Sequence, residues 1–389
     1  MAFDIAGRFP DREWLAEMRE KLDDKLQFAV KRAREVDFIP YTARDGALTP
    51  TDINWWTNGF WPALMWQMFR MTGRALYRDE AVRAEAMLDG ALRNFKRLDH
   101  DMGFLWLIQS GVRWRIEGNA DSYDRAFFAA NMLAGRFNPH GFIRAWNNGD
   151  DGLDRAGWAI VDCMMNLPLL YWASETTGDP RYRLIAMAHA DTTMKHFVRP
   201  DGSCNHIVIF DPQTGAFIDN PGGQGYEPGS SWSRGQSWAL YGFTLSYLHT
   251  GKPEYLDTAR RVADYFIREC ATDWLPRCDF RQPAEPVIRD NAAGNIAACG
   301  LLELTRLLPE ADAARCYDAA VNILMAQERD AADWTEETPM IFTKCTSAYH
   351  DANGRHIPMV YGDYFFAEAV GKLLGETLLF WYPNRERQE

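Results

Sequence analysis

One acid stands alone among apolar and aromatic neighbours in the stretch Ala156–Trp172 (AGWAIVDCMMNLPLLYW). The stretch reads as a helix, with Trp158, Asp162, Met165, Asn166 and Leu169 on one face at i, i+4, i+7 spacing. A carboxyl on that face loses hydration, so its pKa rises and it can stay protonated near neutral pH, as a general acid must. The plain structural alternative is a buried Asp162 bonded to Asn166 or to a nearby backbone amide. Three further segments share this polar-aromatic character: Asn54–Trp61 (NWWTNGFW), Leu98–Trp106 (LDHDMGFLW) and Ser230–Trp238 (SSWSRGQSW).

The elements that must position these segments are helical. Residues 11–36 read as an amphipathic helix with Trp14, Leu15, Met18, Leu22, Leu26, Ala29 and Val30 on its apolar stripe. A pattern of Thr-Gly, three residues, then Tyr recurs at Thr72-Gly73…Tyr77, Thr177-Gly178…Tyr182 and Thr250-Gly251…Tyr255. Glycine ends one helix in the left-handed conformation and the tyrosine opens the next, so each repeat is a helical hairpin. The stretch 299–308 followed by 311–327 is a related pair without the signature. Alternation of strand type is scarce; Ser203–Phe210 can form one short strand before the turn at 211–215. Hairpins of this kind spread along one chain, with loops too varied for an open array, predict a closed toroid of helix pairs. The expected organisation is all-α, one domain over 1–389, with a helix and an irregular segment (1–50) packed on the barrel.

Composition narrows the function classes. The net charge is −12 and no Lys/Arg run occurs, which argues against nucleic acid and anionic membrane surfaces as partners. Fifteen tryptophans favour aromatic platforms, as in sugar sites, or a Trp-rich core. Seven scattered cysteines include no C-x-x-C pair, and H-E-x-x-H is absent, so neither a metal nor a cofactor is expected. Free cysteines, a start without signal-peptide character and no long apolar run lead to the expectation of a cytoplasmic protein. The glycine-rich loop Asn220–Ser231 matches no phosphate motif, and its glycines suit a sharp bend over a pocket.

Taken together and in order, the segments between Thr51 and Ala369 resemble the unsaturated glucuronyl hydrolases of glycoside hydrolase family 88. Asp290–Leu304 and Tyr361–Glu368 resemble late motifs of that family, with Asn291 and Asn295 as departures from its usual small residues. The resemblance implies an (α/α)6 barrel with a pocket at one end. It implies release of 4,5-unsaturated uronic acids from the non-reducing ends of lyase-generated oligosaccharides. It also implies Asp162 as principal acid/base and Asp101 as its partner. Arg234, His206 and Gln224 are then the donors to the uronate carboxylate, Trp55 and Trp238 walls against the sugar, and His100 a further contact.

Each residue has a second reading. Asp101 can cap a turn, His206 can be structural, Arg234 can pair with Glu227 or another acid, and Trp55 and Trp238 can belong to the core. At the level of function the alternatives are a conventional inverting glycosidase acting on a saturated uronide, an unsaturated rhamnogalacturonyl hydrolase, and a sugar-binding toroid without catalysis. Neither the parent polysaccharide nor the oligomeric state is written in the sequence.

Overall fold

The computed structural model of the chain describes residues 12–376 and 380–383. Among them, helices buried on every side alternate in chain order with helices buried along one stripe. The striped set is α1 (Arg12–Ala33), α3 (Ala75–Arg93), α5 (Ala120–Ala134), α7 (Pro180–His196), α9 (Pro253–Cys270) and α11 (Glu310–Ala331). The enclosed set is α2 (Phe60–Thr72), the fully buried π-helix Gly103–Gly111 with its continuation α4 (Val112–Glu117), α6 (Leu167–Thr177), α8 (Ser233–Thr250), α10 (Asn291–Leu304) and α12 (Val360–Leu373). Every residue of α10 and of α12 is buried, as expected of a helix with protein on all sides. The enclosed helices pack in a closed circuit, α2 through α12 and back to α2, and the striped helices surround it. This is the (α/α)6 toroid.

The hairpin signature works as its residues require. Gly73, Gly178 and Gly251 have φ of 71°, 77° and 69°. Their N–H groups return to the carbonyls of Phe69, Ser174 and Tyr247 at 2.8, 2.9 and 2.7 Å. The tyrosines that follow are buried and tie each outer helix to the outer helix before it. Tyr77 donates to Asp23 on α1 at 2.7 Å, Tyr182 to Asn131 on α5 at 2.8 Å, and Tyr255 to Asp191 on α7 at 2.8 Å. Helix α1 closes the outer ring through Tyr77 on one side and the Lys21–Glu328 pair (2.9 Å) on the other.

Two elements differ from expectation. The stretch 156–172 is not one helix: after the short strands β1 (Thr42–Arg44), β2 (Ala47–Thr49), β3 (Phe137–Asn138) and β4 (Phe142–Ile143), Trp158–Ile160 is a strand, β5, Val161–Met165 is a 3-10 turn, and α6 starts at Leu167. Antiparallel pairing of β5 with β6 (Ile207–Phe210), Trp158 opposite Ile209 and Ile160 opposite Ile207, overrides the helical spacing. Pro168 fixes the helix start. The second is a π-helix over Gly103–Gly111 that runs into α4; this wider winding is rare and concentrates at functional sites.

The barrel end formed by the C-termini of the enclosed helices is sealed. Phe380, Trp381 and Tyr382 are buried there. The Trp381 carbonyl is bonded to His249 (2.8 Å) and that of Tyr382 to Arg115 (3.1 Å). Trp381 donates to Glu368 at 3.0 Å, and Lys372 lies 3.2 Å from Glu368 and bonds Tyr382 at 2.9 Å and Glu303.

Candidate active site

The opposite end holds a cavity of about 840 Å³ whose lining includes Trp55, Asp101, Asp162, His206, Gln224 and Arg234. Its polar residues come from segments that lead into the enclosed helices, so helix N-termini converge on it. Their partial positive charge favours an anionic ligand.

Asp101 sits two residues before the π-helix and is 7% exposed. Its Oδ1 accepts from Asn166 Nδ2 at 2.9 Å, and its Oδ2 is 3.5 Å from His100 Nε2. Burial, then the charges of Asp99 and Asp162, holds the Asp101 carboxyl well above the usual carboxylate range. Burial also raises Asp99, to about 6. Asp162 follows β5 in the first turn of the 3-10 segment, and its Oδ1 is buried without a hydrogen-bond partner, 3.5 Å from His206 Nε2. Asn166 bonds Asp101 and not the Asp162 carboxylate; its amide reaches only the Asp162 carbonyl, at 3.5 Å.

The glycine-rich loop sets the state of His206. The Gln224 N–H donates to His206 Nδ1 at 3.0 Å, so the neutral ring carries its proton on Nε2, facing Asp162. The ring packs on Trp232 with centroids 4.3 Å apart. Gln224 is itself held, donating from Nε2 to the Ser347 carbonyl at 2.6 Å. Arg234 is fully buried and pairs with Asp290 at 2.6 Å, not with Glu227. It also donates to the carbonyls of Thr346 (2.6 Å) and Ser347 (2.7 Å), which leaves Nε without a partner. Trp55 is 43% exposed at the rim and meets Tyr41 edge-on.

The ligand atoms of Asp99, His100 and Asp101 lie within 4.8 Å of one another. A metal requires deprotonated ligands, and the burial that disfavours the charged form of Asp101 opposes that.

Residues 30–265 match the family model Glycosyl Hydrolase Family 88. The chain belongs to glycoside hydrolase family 88. It is 37% identical to the unsaturated glucuronyl hydrolase of Bacillus sp. (strain GL1), over 85% of this chain and 89% of that one. It is 31% identical to the unsaturated chondroitin disaccharide hydrolase of Streptococcus pyogenes serotype M1, over 96% of each. A solved Asp-to-Asn variant of UGL with dGlcA-Glc-Rha-Glc superposes with a TM-score of 0.88 at 32% identity, covering 94% of this chain and 99% of that one.

Against that family two expectations need correction. Trp238 is no wall for the sugar: it is completely buried and packs on Phe104 and Phe365, with centroids 5.1 and 5.6 Å apart, because its helix is enclosed on all sides. His100 is likewise shut behind Asp101, with no exposed surface and its ring edge-on to Trp146; burial pushes its pKa well below the usual imidazole range. Sequence reasoning passed over Asp99, Trp146 and Asp290, all part of the site or its support. The pair of acids around His100 was a visible signal for Asp99. Asp290 reaches Arg234 across 56 residues and left none.

Proposed function

We propose that this chain is a hydrolase that frees a 4,5-unsaturated uronic acid from the non-reducing end of lyase-generated oligosaccharides by hydrating the C4=C5 enol ether. Family membership supports the reaction class, and the single observation that carries the chemistry is the pair Asp101 and Asp162 in one pocket. Two carboxyls that face one pocket share protons as a pair and can supply an acid and a base at the same pH.

The Asp162 O–H bond breaks and its proton goes to C4, where the alkene's electron pair forms the new C–H bond. Positive charge develops at C5 and the ring oxygen, and Asp101 supports it electrostatically. Water adds through oxygen to C5 while one of its protons passes to the Asp162 carboxylate. That proton restores Asp162 for the next cycle. The C5 hemiketal then opens by breaking its bond to the ring oxygen, and the rearranged sugar expels its aglycone. The His206 Nε2–H orients Asp162, while the helix N-termini and the free Arg234 Nε favour the uronate carboxylate. Trp55 offers an apolar face at the rim, where the second sugar sits.

Loss of alkene absorbance on a panel of lyase-generated disaccharides tests the proposal. D162N and D101N should each lower turnover by about 100- to 10,000-fold, the usual contribution of a general acid or base. Family resemblance assigns both proton roles to Asp162; on that reading D101N keeps the alkaline limb of the kcat/KM profile, whereas with Asp101 as donor the limb disappears. Turnover of a saturated glucuronide with no action on the alkene would overturn hydration in favour of direct displacement at the anomeric carbon.

A further inference from the structure

We propose that Arg136 is a positioning residue for the hydration chemistry: its guanidinium fixes the strip of chain that spaces Asp101 from Asp162 and sets a positive charge behind Asp101. This rests on the reading of those two acids as the reacting pair. Residues 144–147, which continue β4, run between the two acid-bearing segments. On one side the Ala145 N–H donates at 2.8 Å to the carbonyl of Trp158, at the start of the strand that leads to Asp162. On the other side the Ala145 carbonyl accepts the N–H of His100, the neighbour of Asp101, at 3.1 Å. One residue therefore ties the two segments to each other, and the next, Trp146, lines the pocket.

Arg136, just beyond α5, holds this strip in place. Its Nη2 donates to the same Ala145 carbonyl at 2.9 Å, its Nε to the Arg144 carbonyl at 2.9 Å and its Nη1 to Asn147 Oδ1 at 2.9 Å. Nη1 also reaches the Leu98 carbonyl at 3.4 Å, and the Asn147 amide donates to that carbonyl at 2.8 Å. A planar guanidinium is the side chain that points donors in these directions at once.

Two observations set this apart from an ordinary structural arginine. The carbonyl it shares with the His100 N–H is the one that joins the two segments, so its loss loosens the spacing of the acids themselves. Every group it bonds is neutral, and among the described residues no carboxylate forms a hydrogen bond or ion pair with it. The aspartates whose charges it meets are Asp99 and Asp101, both in the pocket lining.

The charged and titratable groups facing Asp101 are Asp99 and His100 from its own segment, Asp162 and Cys163 from the 3-10 turn, and Arg136; Arg144 lies near Arg136 in turn. Burial disfavours the charged form of Asp101, and Arg136 is the permanent cation that works against it. Removing that cation raises the proton affinity of Asp101. Because the two acids titrate as a pair, both limbs of the pH profile then move to higher pH.

The test is kcat/KM against pH on an unsaturated disaccharide for R136K and R136M, with folding checked by circular dichroism and a denaturation midpoint. R136K keeps the charge and loses the fork, so kcat should fall about tenfold or more, well beyond any change in KM, with both limbs in place. R136M loses both, so kcat should fall further and both limbs should rise by about half to one pH unit, about a three- to tenfold change in proton affinity. R136Q, neutral but still a donor, carries the charge arm if R136M does not fold. The Asp101 carboxyl signal in ¹³C NMR, assigned by its loss in D101N, reports the same shift without turnover. Folded neutral variants whose limbs and Asp101 signal stay in place, or an R136K with unchanged kcat, overturn the assignment to Arg136. A wild type that never hydrates the alkene overturns instead the reading on which it rests.

Discussion

The Asp101 carboxyl is raised above the usual carboxylate range first by burial, then by Asp99 and then by Asp162, and Asp99 also accepts the Asp101 N–H at 3.0 Å, a bond that the amide oxygen of an asparagine there can keep. D99N deletes a negative charge that raises the Asp101 pKa, so the alkaline limb of kcat/KM should move to lower pH, by about half to one unit. A pH profile on an unsaturated disaccharide reads this directly. Both acids were legible in the sequence because each lies in a short motif of unusual composition. Their division of labour was not. The helical spacing put the protonated carboxyl at Asp162, whereas the structure raises the pKa of Asp101. Acidity depends on what lies across the fold, and the bond from Asn166 to Asp101 spans 65 residues.

The hairpins were readable because their signal is local. A glycine that must take positive φ and a tyrosine four residues later leave a trace in any helix–turn–helix of this geometry. The function of the tyrosine was not readable, since its partner sits on the preceding outer helix. Y182F removes the bond to Asn131 and should cost about 1 kcal/mol in stability. Chemical denaturation should show that loss with kcat and KM unchanged, because the contact lies in the outer ring. Gly118, at φ 69°, ends α4 in the same way as the three signature glycines, but no threonine precedes it and the spacing to the next tyrosine differs, so the repeat hid it. The π-helix left no sequence signal; winding is decided by what its backbone amides meet, and Phe104 meets Asn166. The strand at Trp158–Ile160 shows the same limit: helical spacing is present, and pairing with β6 wins.

Across the whole molecule the two ends of the toroid carry different polar chemistry. At the pocket end, acids are left partly unpaired for use. At the other, Lys372 satisfies Glu303 and Glu368 in a buried network closed by Tyr241 and Tyr382. K372M strands two buried acids and should destabilise the fold by about 3–5 kcal/mol, seen as a lower denaturation midpoint, with KM for an unsaturated disaccharide retained below that midpoint. The closed topology was legible from repeated hairpins, but the seal made by Phe380–Tyr382 was not, because it depends on residues separated by most of the chain. That seal has a consequence for the order of events. With that end closed among the described residues, a chain cannot thread through the toroid and enters the pocket tip first, its fragments leaving by the same mouth. Accumulating fragments therefore compete for the same threshold, and the rate of clearance outside the protein helps set how fast the work inside can continue.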